Sequence, residues 1–127
     1  MSHVIAFVCG LLLWTLLEYA VHRWLFHGVL LKYHRHHHNT PKVPKPMPLW
    51  ALAPPLLGIF WINVGLGVGV LTGLAAYEAL HQYLHHGNPK RPWLLYLRAQ
   101  HMKHHRIPSK QFGVVTNFWD RIFRTSL

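Results

Sequence analysis

The placement of charge constrains this 127-residue chain more than any other feature. All 13 Lys and Arg fall in two windows, residues 23–45 and 90–124, and none occurs in 1–22 or 46–89. Acidic residues number only three: Glu18, Glu78 and Asp120. A net charge of +10 would by itself suggest a nucleic-acid or anionic-lipid partner. A DNA-binding surface has no reason to confine its cations to two windows, whereas a chain that buries its remaining length in hydrocarbon must do so. Nucleic acid is therefore excluded as a partner, and a membrane is expected.

The uncharged stretches have the length a bilayer requires. Residues 1–17 carry no Asp, Glu, Lys or Arg, and the run VIAFVCGLLLWTLL continues past Glu18 through Tyr19-Ala20-Val21. About 20 apolar residues cross a bilayer as a helix, so 3–22 is expected to be one span. A cleaved leader is disfavoured, because no basic region precedes the run and no small-x-small site follows it. Cys9, the single cysteine, lies inside this run and permits no intrachain disulfide; a packing or lipid-facing place is expected for it.

A second apolar block runs from Pro46 to Tyr77 and continues in helix-like sequence to His86. At about 1.5 Å per residue it measures roughly 60 Å, close to two crossings of a ~30 Å core. A hairpin near Asn63-Val64-Gly65 would divide it. Pro54-Pro55 should kink the first arm, and Gly65, Gly67, Gly69 and Gly73 suit the second, 66–86, to close helix packing.

The expectation is an all-α membrane protein of one domain, 1–127, with about three spans. The basic segments 23–45 and 87–127 then share one face, cytoplasmic by the positive-inside rule. Segments 32–48 (Pro41, Pro44, Pro46, Pro48) and 87–92 (Gly87, Asn88, Pro89, Pro92) read as loops. Residues 93–106 and 115–124 read as surface helices, with Trp93, Tyr96 and Trp119 at the interface. Asp120, beside Arg121, reads as half of a surface ion pair.

Thirteen His are present, and ten form four groups: His22 and His27; His34, His37 and His38; His81 and His85; His101, His104 and His105. All four groups lie at span ends or in segments assigned to the one face. On a helix, positions i, i+3 and i+4 share a face, so the triplets and the 81/85 pair can each aim at one point. The five-residue step from His22 to His27 fits better if the helix ends between them, near Gly28. Neutral imidazole suits Fe and Zn. Ten are too many for one ion and suit two, giving a cytoplasmic helical cap with a His-rich di-metal site. His3, His36 and His86 lack matched partners and are set apart as exposed or outlying. Glu18 precedes His22 by four residues and Glu78 precedes His81 by three. Both are expected to accept a ring N–H from a metal-bound His, as carboxylates around metal sites commonly do.

At these clusters the chain resembles the fatty acid hydroxylase superfamily, whose pattern is HX4H, HX2HH, HX3H and HX2HH. The supporting strings are EYAVHRWLFHG, HRHHHNTPK, YEALHQYLHHGNP, QHMKHH and the tail FGVVTNFWDRIFRT, over residues 18–41 and 77–125. Within it the chain is most similar to the fatty acid (ceramide) 2-hydroxylases. The resemblance implies two metal ions, iron in the active enzyme with zinc able to replace it in a purified sample, ligated by His22, His27, His34, His37, His38, His81, His85, His101, His104 and His105. It implies O2-dependent hydroxylation of a fatty acyl or lipid chain, at C2. Relatives usually carry four spans, and the first has no counterpart here, which would put the N-terminus outside the cytoplasm. No fused haem domain is expected with these motifs, and a separate cytochrome b-type or ferredoxin-like electron donor is expected instead. A prokaryotic chain of this kind would sit in the inner membrane.

Arg23, Lys32 and Arg98 are candidates to anchor an anionic head group, although basic residues near a membrane usually meet lipid phosphates nonspecifically. Two other readings compete. A carotenoid or sterol hydroxylase or desaturase shares the His pattern but matches less well around HGNP and FWDRIF. A metal transporter or sensor should place its ligands near the bilayer midplane along a path, and here they gather at one surface.

Overall fold

A computed structural model describes residues 2–40 and 49–127, and every regular element among them is helical. The loop expected at Pro41, Pro44, Pro46 and Pro48 lies outside the described residues. Helix α1, His3–Ala20, starts at Ser2, whose hydroxyl accepts the Ile5 N–H at 3.3 Å. It does not end at Ala20. The chain runs on as a π-helix over Val21–Val29, so the rod continues for 27 residues, and its most apolar 18 residues have a mean hydropathy of 2.1. The expected helix end between His22 and His27 is corrected by this finding. A π-helix bonds i to i+5, so it places residues five apart over one another, which α-helical spacing cannot do.

After Leu30, helix α2 spans Leu31–Asn39, where a loop over 32–48 was expected. Pro41 and the cluster after it stop a helix but do not forbid one before them. A 3-10 turn, Leu49–Leu52, leads into α3, Ala53–Ile62, and Asn63 then caps α4, Val64–His86. The Asn63 side chain accepts the Leu66 N–H at 3.0 Å, which places the hairpin where the sequence suggested. Helix α5 covers Pro92–Arg106, and a short α6 covers Phe118–Ile122 within the expected 115–124.

Among the described residues, two helices are long and apolar enough to cross a membrane: the α1 rod and α4. The expected third span is shorter. The 3-10 turn and α3 together hold 14 described residues, about 20 Å at helical rise against a ~30 Å core. Pro54-Pro55 is accommodated within the first helical turn of α3 rather than as a kink, where the missing N–H has no helical partner to lose.

The α1 rod and α4 run in the same direction with glycine between them. A Cβ added to Gly69 would come within 2.9 Å of the Gly10 Cα, and Gly65 stands equally tight against Ala6 and the His3 carbonyl at 3.0 Å. Trp14 lies over Gly73 and packs against Tyr77 at 5.8 Å between rings. With Leu52, Val70, Leu74, Leu84 and Val114 these side chains form the core. The outward faces remain apolar and exposed, as at Val4, Val8, Leu12, Leu57 and Trp61, and Cys9 is exposed among them. Because the two long helices are parallel, His22 and His27 finish at the same end as His81 and His85.

Candidate metal centre

That shared end is covered by α2 and α5, and ten imidazoles meet there in two adjoining groups. The first gathers His22, His27, His34, His38 and His104, with one ring nitrogen of each within 4.8 Å of all the others. The second gathers His37, His81, His85 and His101 on the same terms. His105 adjoins it, its Nε2 3.1 Å from that of His101 and its ring 4.5 Å from that of His38 in the first group. Helix α2 therefore serves both groups, sending His34 and His38 one way and His37 the other. Helix α5 divides likewise at His104 against His101 and His105. The π-helix brings the His22 and His27 rings to 5.2 Å. His3, His36 and His86 are exposed and stand outside both groups.

The spacing fits metal ligation. Nε2 atoms face one another at 3.0 Å for His22–His34, His34–His38 and His27–His104. The corresponding distances are 3.1 Å for His37–His81 and 2.8 Å for His85–His101. Two nitrogens held about 2.1 Å from one ion at a right angle stand about 3.0 Å apart. His22 Nδ1 donates to the Phe112 carbonyl at 2.5 Å, and His104 Nδ1 donates to the Lys110 carbonyl at 2.7 Å. With Nδ1 carrying the proton, each Nε2 turns a lone pair into the group. Lone pairs facing one another at 3 Å repel unless a cation sits among them, and the donor set suits Fe or Zn.

Electrostatics keep the cap histidines in the ligating form. Burial, followed by the charge a protonated His85 would bring, pushes His37 down to about 3. Burial holds His104 at about 3 against the opposing pull of the Lys110 carbonyl. Burial and then His38 bring His105 down to about 2, and His34, His38 and His101 are lowered chiefly by burial too. Neutral imidazole binds metal; imidazolium does not.

The carboxylates depart from expectation. Glu18 does not accept from a histidine; its Oε1 takes the Val114 N–H at 2.5 Å and the Val115 N–H at 3.0 Å. It shares a helix face with His22, but the ring N–H there is taken by Phe112. Glu78 accepts from Gln82 Nε2 at 2.8 Å, its neighbour one turn along. Asp120 is no surface ion pair. It is fully buried and accepts the N–H groups of Phe112 and Gly113, both at 2.8 Å. Spacing on one helix finds i, i+4 partners, whereas the Glu18 contacts cross most of the chain and the Asp120 contacts close a turn of the tail that has no helical spacing. Arg23 donates to the Tyr19 hydroxyl and Arg98 to the Gly87 carbonyl, so neither is free to serve only as a head-group anchor.

A family model for fatty acid hydroxylases matches residues 7–125. A dihydroceramide fatty acyl 2-hydroxylase of Arabidopsis thaliana is 36% identical over 96% of this chain and 60% of its own length. The human fatty acid 2-hydroxylase is 34% identical over 94% of the chain, and a Saccharomyces cerevisiae ceramide very long chain fatty acid hydroxylase is 31% identical over 95%. The chain spans 38% of the length of each of these two. In three dimensions it superposes on full-length scs7p, of which only the hydroxylase domain is visible. The TM-score is 0.77 at 27% identity, over 100% of this chain and 58% of that one. The chain belongs to the fatty acid hydroxylase family. The relatives it matches act as 2-hydroxylases or hydroxylases of fatty acyl groups, by their names.

Proposed function

We propose that this chain is a membrane-embedded di-metal monooxygenase that hydroxylates the acyl chain of a fatty acid or lipid at C2. The observation that carries the reading is the convergence of ten imidazoles in two adjoining groups at one end of two apolar helices. The names of the relatives supply the acyl substrate and the carbon. The residues act as one unit over 1–127, with the site facing the cytoplasm, a reading that the flanking Lys and Arg support.

The first ion would be held by His22, His27, His34, His38 and His104, and the second by His37, His81, His85, His101 and His105. Iron at these positions would supply the redox chemistry that turns O2 on an unactivated C–H bond, which zinc, without redox states, does not. Electrons come from a separate carrier of cytochrome b or ferredoxin type. The protein's own contribution is to fix donors, exclude water and position one carbon. Phe112 and Lys110 carbonyls set the tautomers of His22 and His104. A cavity of about 330 Å³ between His27, Leu31, Arg35, His38, Asn39, His105 and Pro108 borders both groups. An acyl chain entering here meets the histidines, while Arg35 and Asn39 offer polar contacts to a head group.

Mass spectrometry of total fatty acids from cells expressing the chain, beside a His101→Ala/His105→Ala variant, tests the proposal. 2-Hydroxy acids are expected with the native chain alone. Unchanged fatty acids alongside hydroxylated sterols or carotenoids would move the substrate to that rival class.

A further inference from the structure

The tail after α5 contains no histidine, yet it touches the first histidine group at two backbone carbonyls. Phe112 O receives His22 Nδ1–H and Lys110 O receives His104 Nδ1–H. What holds those carbonyls still is a buried carboxylate. Asp120 Oδ1 accepts the Phe112 N–H and Oδ2 the Gly113 N–H, each at 2.8 Å. The strap needs glycine at 113, since a Cβ there would lie 2.0 Å from the Thr116 carbonyl oxygen and 3.0 Å from Asp120 Oδ2. Thr125 Oγ1 donates to Asp120 Oδ1 at 2.7 Å. The Tyr19 hydroxyl bonds Thr125 Oγ1 at 3.0 Å, and Arg23 donates to Tyr19 at 2.8 Å. One chain of hydrogen bonds thus runs from a guanidinium on the first span to the buried Asp120.

The strap is fixed from both sides. Glu18 holds the next two amides, Val114 and Val115. Gln111, between the two His-binding carbonyls, adopts φ 56°, donates its N–H to the Thr125 carbonyl at 2.9 Å and binds Gln100 through its side chain at 2.6 Å. A non-glycine residue in the left-handed region persists only where its surroundings over-determine it. Nδ1 of His81, His101 and His105 has no hydrogen-bond partner among the described residues, and neither has that of His34 or His38 in the first group. The two ring nitrogens that the strap carbonyls receive, on His22 and His104, both belong to the first group.

We infer that Asp120 is the positioning residue of the first histidine group: it clamps the 110–113 strap whose carbonyls aim His22 and His104, and so governs one of the two ions and not the other. The inference rests on the di-metal reading above. Loss of such an outer hydrogen-bond partner typically weakens metal affinity about 10–100-fold. Asp120→Asn keeps size and shape, but its amide nitrogen cannot accept a peptide N–H, so one of the two clamping bonds is lost.

The test is Co2+ uptake by the full chain in detergent over a series of buffered free-ion concentrations, read by optical absorption and by metal per chain. Two ions are expected for the native chain. In a His81→Ala/His85→Ala background, which leaves the first group, adding D120N should weaken the remaining ion about 10–100-fold. In a His22→Ala/His34→Ala background, which leaves the second, D120N should change nothing. Equal weakening in both backgrounds, or none in either, overturns the inference and leaves the metal reading intact. A native chain that takes up no Co2+ overturns the metal reading and this inference with it. If D120N does not fold, T125V carries the same comparison by removing only the hydroxyl bonded to Asp120. Selective weakening in the first background supports the inference, and any other pattern overturns it.

Discussion

His104 shows what a single residue must satisfy in this protein. It is fully buried, its Nδ1 proton is committed to the Lys110 carbonyl, and its Nε2 faces that of His27 at 3.0 Å. The same burial that makes it a ligand makes it intolerant of charge. His37 and His104 are pushed down to about 3 and His105 to about 2, whereas an unfolded histidine titrates near 6.5. The folded state therefore binds fewer protons than the unfolded one below that pH, and stability must fall as the pH falls. For the metal-free chain in detergent, the thermal midpoint should be flat above about pH 7 and decline steadily below about pH 6. Metal should be released over the same descent, as protons compete for Nε2. A midpoint that holds or rises on acidification from pH 7 to 5, followed by circular dichroism, would contradict the assigned burial. At this scale the sequence was most informative about the ten histidines, because identity and spacing are local. It was least informative about Glu18, whose partners lie in a distant part of the chain, and about Asp120, whose partners in the same tail follow no helical spacing. The three carboxylates of the chain were conspicuous, but nothing near Asp120 in sequence marks the amides of Phe112 and Gly113 as its partners.

Among the elements, the π-helix at Val21–Val29 matters most, because it converts an awkward five-residue step into a shared face. Gly28 suggested a stop, and the helix passes through it with nothing within 4 Å of an added Cβ. The glycines of α4 are different, as the sequence implied. Gly69→Ala would push a methyl against Phe7 and Gly10 backbone and should destabilise by about 1–3 kcal/mol, the usual range for overpacking. Gly58→Ala, in α3 with open space around it, should be neutral or stabilising by up to about 1 kcal/mol. Chemical unfolding in mixed micelles separates the two, and equal effects would contradict the close α1–α4 packing. Asn63→Ala removes the α4 cap and should cost about 0.5–2 kcal/mol in the same assay. The third apolar segment was legible as hydrophobic but not as short. Composition records that residues 46–62 avoid water, and says nothing about how much of that length is spent before α3 begins.

For the whole molecule, two parallel apolar helices carry four histidines to one end, and α2 and α5 close over them with six more. The family, the helical class and the ten-histidine constellation were all within reach of the sequence, since each follows from patterning or from motif spacing. The division into a group of five and a group of four, with His105 beside the second, was not, because it depends on how α2 and α5 lie across the ends of the long helices. The central claim is that this assembly inserts an oxygen atom from O2 into an acyl chain. The most direct measurement supplies 18O2 to membranes containing the iron-loaded chain, a reductant with its electron carrier, and a saturated acyl substrate, and then reads the product by mass spectrometry. A 2-hydroxy acyl product carrying one 18O atom is the predicted result. A product whose hydroxyl carries the oxygen of water, or an acyl chain that leaves unmodified while the chain holds both irons, would contradict the account.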